Sequence, residues 1–268
     1  MTHLTRRGVL TALGVAGLST VAGARLAGGD RPSFARYTVA QATDGPGALR
    51  VSWYETYNGT PIDSPEGDPA ADAADTLDPA SGPSYVEDAP GAVVSLGNVV
   101  PGDGGSVVVG LQAVEADLNV WFRPVLTAND ENGQNEPEEL AEGVDTDGVG
   151  ELGAATNALF WLDNSVVFGA CDGRPDLFEP QVSTPDGAGA AGTFVDVVEA
   201  FETGVRLPFD GADGCPDALP MDGNRCVGFR WAIPDDVGNE IQSDSLEFDL
   251  QFAAVSCGDD ANPFEVAQ

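Results

Sequence analysis

The four cysteines, Cys171, Cys215, Cys226 and Cys257, carry the most definite chemistry in this 268-residue chain. None forms a CxxC pair, so the spacing does not suggest a zinc cluster or a redox motif. Disulfides are the expected state in an oxidising compartment. Four cysteines allow three pairings. The segment CPDALPMDGNRC encloses a Pro/Gly-rich turn able to fold back on itself. This favours Cys215–Cys226 and leaves Cys171–Cys257 to tie the end of the chain to its middle. The second chemistry is oxygen ligation. Asp145-Thr146-Asp147-Gly148 looks like the opening of a calcium loop, with carboxylates on alternate residues and a glycine for the turn. The twelfth position is Thr156 rather than an acid, so the EF-hand pattern fails. Just upstream, Asp130, Glu131, Glu136, Glu138 and Glu139 would surround a Ca2+ ion if their loop curled, and a solvated acidic loop accounts for them equally well. Calcium, with Asp130, Glu131, Glu136, Asp145 and Asp147 as candidates, is the one cation the sequence brings forward, and no metal site is assigned.

What the chain lacks narrows its chemistry further. All 11 basic residues are Arg, and His3 is the only histidine; against 44 acids this gives a formal charge of −33. Thr5-Arg6-Arg7-Gly8 precedes an apolar run from Leu10 to Val21, and Ala22-Gly23-Ala24 supplies an A-x-A site. This pattern predicts a signal peptide over 1–24, cleaved after Ala24, with paired arginines of the twin-arginine export type. The apolar run is too short to anchor, so no membrane span is expected in the mature form. Cleavage removes His3, Arg6 and Arg7 but no acid, taking the charge to about −35. Without His or Lys there is no Ser-His-Asp or Cys-His arrangement, no HExxH zinc site, no Schiff base and no P-loop lysine. Carboxylate pairs remain, but with 44 acids their proximity in sequence carries little information. The expectation is a non-enzyme with no catalytic or cofactor-binding residues. The charge repels nucleic acid and anionic lipid. It suits brine, where at about 1 M salt the screening length falls to ~3 Å. A secreted, cell-surface protein of a high-salt environment is the expected setting.

The elements that would position these groups are mainly strands. FARYTVA (34–40) reads as one short strand in an arm over 25–47. ALRVSWYETY (48–57), GAVVSLGNVVPGDGGSVVVGLQAV (91–114) and LNVWFRPVLT (118–127) follow, the middle one as strand, turn, strand. Pro124 has no amide to donate, which suggests an edge or bulge. Residues 58–91 and 128–151 read as long acidic loops. ALFWLDNSVVF suggests two strands around Asp163-Asn164. Apolar residues at 194, 197, 198 and 201 predict one short helix over 193–203. Strands at 205–209, 227–233 and 246–255 complete the pattern, the last alternating strictly through Leu246, Phe248, Leu250 and Phe252. The sum is a mainly β, antiparallel β-sandwich over 48–257, with a flexible tail at 258–268. Trp53, Tyr54, Trp121, Phe122 and Trp161 suit either the core or a stacking platform for a sugar.

In order along the chain, ALRVSWYETYNG, VSLGNVVPGDGGSVVVGLQ with its Pro101-Gly102-Asp103 turn, LTANDENGQNEPEE and VGNEIQSDSLEFDLQFAAVSC resemble the TasA/camelysin family in a haloarchaeal form. The resemblance covers roughly 48–257. It implies a jelly-roll β-sandwich exported with a SipW-type signal peptide. It also implies a role as subunit of extracellular fibres or of the biofilm matrix, in which an N-terminal strand of one subunit completes the sheet of the next. The donor here would lie within 25–40, with Phe34, Tyr37 and Val39 as its apolar residues, although Leu26–Asp30 departs from the family in being Gly-rich. The metallopeptidase label attached to camelysin finds no support, because the mature chain has no histidine. Two readings therefore stand: a self-associating structural subunit, alone or with related matrix subunits, or a monomeric cell-surface module binding carbohydrate or another ligand.

Overall fold

Runs rich in Val and aromatic residues pack well on a pleated surface, and in the computed structural model they become two antiparallel sheets. The structure describes residues 4–5, 42–43, 47–63, 93–143, 148–165, 169–209, 211 and 214–265. In the first sheet β1 (Ala48–Tyr57) pairs along its length with β4 (Gly104–Val114), and β4 pairs on its other edge with β11 (Asn224–Ala232). Beyond β11 lie β6 (Asn157–Leu162) and β9 (Ala191–Thr193). At the opposite edge β2 (Thr60–Asp63) pairs with β1, and Leu4–Thr5 lies parallel beside it. The second sheet is built on β5 (Leu118–Asp130) and β12 (Ser245–Ser256), paired from Leu118↔Ser256 to Asp130↔Ser245. Its flanks are β10 (Val205–Arg206) beside β5, and β3 (Val93–Gly97) and the parallel segment Ala42–Thr43 beside β12. A small hairpin, β7 (Asn164–Ser165) with β8 (Gly169–Ala170), stands apart.

The β-sandwich expectation holds, because the two sheets bury their apolar faces against each other. Phe122 of β5 meets Phe160 of β6 at 4.9 Å between ring centroids, and Phe229 of β11 meets Phe248 of β12 at 5.2 Å. The strict alternation of β12 turns Leu246, Phe248, Leu250 and Phe252 into this core. The valine run of β4 is buried on both faces for a reason legible in the register. Val107, Val109 and Leu111 enter the main core, while Val108 joins Tyr54, Cys171 and Cys226 under the loop that follows β8. Gly228 of β11 leaves room for its cross-strand partner Trp161. A Cβ there would come within 2.2 Å of the indole.

Among the described residues three α-helices appear, where one was expected. The expected one, α3 (Phe194–Ala200), has Thr193 as N-cap, its hydroxyl accepting from the Asp196 N–H at 3.3 Å, and it buries Phe194 and Val197. The other two, α1 (Glu136–Glu142) and α2 (Leu152–Ala155), fall in or beside the stretch read as an acidic loop. Sequence reasoning missed α1 because it has no apolar stripe. Its signal was Asn135 with Glu138 three residues on, the spacing of a capping box.

The Pro101-Gly102-Asp103 turn is a structural knot. Asp103 Oδ2 accepts from the Tyr57 hydroxyl at 2.5 Å and the Val100 N–H at 2.9 Å, and Oδ1 accepts from Asn58 Nδ2 at 2.8 Å. The β1–β2 and β3–β4 turns are thereby locked together. Gly102 sits at φ +89°, and a Cβ there would lie 2.7 Å from Asp235 Oδ1. Pro124 occupies a place that asks for no donor, because β10 pairs only with Trp121 and Phe122. The ladder of β5 with β12 also shifts register between Glu247 and Phe248. Residues 258–265, which the sequence leaves as a flexible tail, lie along β5 and β10. Asn119 Nδ2 donates to the Asp259 carbonyl at 2.8 Å, Arg206 meets Asp260 at 2.8 Å, and Arg123 sits 4.4 Å over the Phe264 ring.

The disulfide expectation is corrected. The bridges are Cys171–Cys226 and Cys215–Cys257, with Cα separations of 5.4 and 6.0 Å. The segment between Cys215 and Cys226 does not fold back, because its backbone is recruited by the strand ends. Leu219 exchanges hydrogen bonds with Leu118, and the Asp222 N–H donates to the Ala113 carbonyl. Cys226 then lies on the outer face of β11, opposite the core residues Val227 and Phe229, where Cys171 meets it. Peptide mapping under non-reducing conditions is therefore expected to join the Cys171 and Cys226 fragments, and the Cys215 and Cys257 fragments. Loss of the first bridge in C171A/C226A is expected to cost about 4 kcal/mol in denaturant unfolding, from closure of a 55-residue loop.

Candidate metal centre

The last rungs of the β5–β12 ladder bring acids together from distant parts of the chain. Asp130 and Ser245 are cross-strand partners, so the residue after β5, Glu131, and the residue before β12, Asp244, sit side by side just beyond the ladder. Glu138 joins them from the first turn of α1, its Oε2 accepting the N–H of the N-cap Asn135 at 3.0 Å. One carboxylate oxygen from each of Glu131, Glu138 and Asp244 lies within 4.8 Å of the others. Glu138 is 0% exposed and Asp244 1%.

Polar side chains hold the surrounding backbone in place. Asn132 Nδ2 donates to Ser245 Oγ at 2.8 Å and to the Ser243 carbonyl at 3.1 Å, and Asn135 Nδ2 donates to Ser243 Oγ at 3.0 Å. Asn129 Nδ2 donates to the Gly150 carbonyl at 2.6 Å, while its Oδ1 accepts from the Gly153 N–H at 3.1 Å. Gly150 has to be glycine here, since a Cβ would stand 2.7 Å from the Asp244 carboxyl carbon. The backbone N–H of Leu152 donates to Asp244 Oδ2 at 2.8 Å, and Asp244 Oδ1, buried, finds no donor. Burial pushes the Asp244 carboxyl up to about 6. The Leu152 N–H and the Glu131 side chain, in hydrogen-bond contact, pull it down, and the charges of Glu151 and Glu138 push it up again. Two carboxylates in contact, both acceptors, need a shared proton or a cation between them.

The acids foreseen in the sequence divide at this site. Glu131 and Glu138 are in the cluster. Asp130, Glu136 and Glu139 are on its exposed side. Asp145 and Asp147, like Ala24 and the arm residues Phe34, Tyr37 and Val39, lie outside the described residues. Asp244 was missed, because nothing local distinguishes one acid of IQSDSLE from the many others. Its only signal was its place directly before the most strictly alternating strand.

The aromatic platform is not there to be used. Trp53, Tyr54, Phe122 and Trp161 are buried, and Trp121 is half-buried. A second buried carboxylate, Asp163, differs from Asp244 in having its donors. Its Oδ2 accepts from the Gly173 N–H at 2.8 Å and its Oδ1 from the Asp172 N–H at 3.3 Å. Burial nevertheless pushes it up to about 7, against the pull of the Gly173 N–H and with help from the charges of Glu179 and Asp172.

Because the folded-state value of Asp163 stands above its unfolded one, its ionisation is costlier in the folded chain. Stability is therefore lost as pH rises from about 4 through 7. In thermal melts, the Tm of the wild type minus that of D163N, which carries no titrating group there, is expected to fall between about pH 4 and pH 8. A difference that stays flat or rises would contradict this. A scan of the chain against protein-family models and a search of the curated proteins both found no match.

Proposed function

We propose that the protein is an exported structural subunit of an extracellular filament or biofilm matrix, in which subunits exchange an N-terminal strand. The observation that carries this reading is the position of Ala42–Thr43. The segment leading out of the arm lies parallel to Ala254–Val255, at the flank of the long strand β12. It holds there by only a two-residue pairing among the described residues. An arm that ends at a sheet edge is placed for strand addition, where backbone hydrogen bonds give directional affinity. A contact of this head-to-tail kind does not close on itself and so propagates. The jelly-roll form of the sandwich and the likeness to TasA/camelysin belong to the same proposal.

Export is supported by the leader pattern of residues 1–24, by the two disulfides, and by the fact that no helix among the described residues is long and apolar enough to cross a membrane. The formal charge of −33 favours assembly in brine, where the mutual repulsion of acidic subunits is screened. The alternative, a carbohydrate-binding monomer, loses its best candidate surface with the burial of the aromatic side chains.

Electron microscopy of the mature protein in roughly 2–4 M NaCl, where screening is nearly complete, is expected to reveal filaments. Deletion of residues 25–40 is expected to leave monomers with an unchanged circular-dichroism spectrum. Protein that stays monomeric at high concentration in both forms would overturn the proposal. Dialysis of filaments into dilute, EDTA-containing buffer is expected to dissolve them.

A further inference from the structure

We propose that Glu131, Glu138 and Asp244 form a calcium site that pins α1 and the start of β12 to the end of β5. The inference stands on this cluster alone and does not depend on the filament reading. Three carboxylates converge from three separate stretches of chain, and two of them belong to fully buried residues. Isolated buried charges are strongly disfavoured unless paired or bound to metal. The charges acting on Asp244, those of Glu151 and Glu138, are of its own sign. The independent pointer to a ligand is Asp244 itself. The residue is 1% exposed, its Oδ2 is used by Leu152 N–H, its Oδ1 is buried without a donor, and one of its oxygens lies within 4.8 Å of those of Glu131 and Glu138.

The chemistry of the donors selects the ion. An all-oxygen set suits hard cations, and among the described residues the cluster holds carboxylates alone, both cysteine pairs being in disulfides. Calcium–oxygen distances of 2.3–2.6 Å make the span across its coordination sphere about 4.8 Å. The three donor oxygens fit within that envelope. Magnesium, at 2.0–2.1 Å in a strict octahedron that keeps most of its waters, fits a buried carboxylate triad less well. With a divalent ion bound, the local charge of the triad falls from −3 to −1. The loop of Asn132 and Asn135 is then drawn onto the base of β12.

The test is calorimetric and uses the whole mature chain in high NaCl after EDTA treatment. Calcium at about a hundred times its Kd is expected to raise Tm by roughly 5–10 °C, with magnesium giving a smaller rise. The variant D244N separates binding from packing. In EDTA it is expected to melt at or above the wild type, because one of the crowded charges is gone, and in calcium it is expected to melt below it. A carboxylate with a merely structural role would leave D244N less stable in both buffers. E138Q is expected to show the same loss of calcium response, and E202Q, an exposed acid on another element, is expected to keep it. The proposal is overturned if calcium leaves the wild-type Tm unchanged, as a proton shared by Asp244 and Glu131 would require. It is equally overturned if magnesium matches calcium, or if the calcium response survives in both D244N and E138Q.

Discussion

The contact on which this structure depends is the seam of phenylalanines between the sheets. Phe122 of the second sheet, flanked by Phe252, closes on Phe160 of the first, Phe229 closes on Phe248, and Phe194 of α3 seals one end at 4.2 Å from Phe248. Aromatic rings bury large areas and settle into offset or tilted geometries, so the seam fixes both the spacing and the relative sliding of the two layers. A chain with 44 acids and 11 arginines gains little cohesion from its surface. The interior has to supply it.

That seam also decides where the acids end up. With Phe122 and Phe252 as partners in the ladder, the register of β5 against β12 runs to Leu126 and Phe248, and a one-residue shift between Glu247 and Phe248 then sets Asp130 opposite Ser245. Glu131 and Asp244 are neighbours because hydrophobic packing at the far end sets the ladder and the irregularity beside Glu247 moves it on by one residue. α1 then adds Glu138, a residue whose carboxylate caps its own helix while facing the other two acids. One side chain thus serves local helix formation and the long-range cluster together.

The sandwich was legible because its signals are local and repeat. The run 48–57 alternates and is flanked by turn residues, and its bounds agree with β1. The i, i+3, i+4, i+7 pattern of 194–201 gave α3, and the glycines of the Pro-Gly-Asp segment marked the turn before β4. What escaped depends on contacts between distant segments. Cysteine pairing follows from which face of β11 carries Cys226 and from the capture of Leu219 by Leu118; a short sequence interval between cysteines says nothing of either. α1 hid because its inward side chain is a glutamate, where pattern reading looks for a leucine. Asp244 escaped because its partner acids are supplied by other elements, and the aromatic platform dissolved because Trp161 is buried and Tyr54, on the outer face of the first sheet, is roofed over by the disulfide-bearing loop.

The bridge from Cys215 to Cys257 has a mechanical meaning. Cys257 follows directly on the end of β12, and it is at that end that Ala42–Thr43 attaches. A pull transmitted through the arm arrives at the terminus of the longest ladder in the molecule, the point from which strands are most easily peeled one hydrogen bond at a time. Here that terminus is fastened covalently to the segment that also grips Leu118, the partner of Ser256 at the same end of the ladder. The bridge thereby closes that end of the ladder against peeling. The seam of the fold most open to fraying is the one that has been riveted.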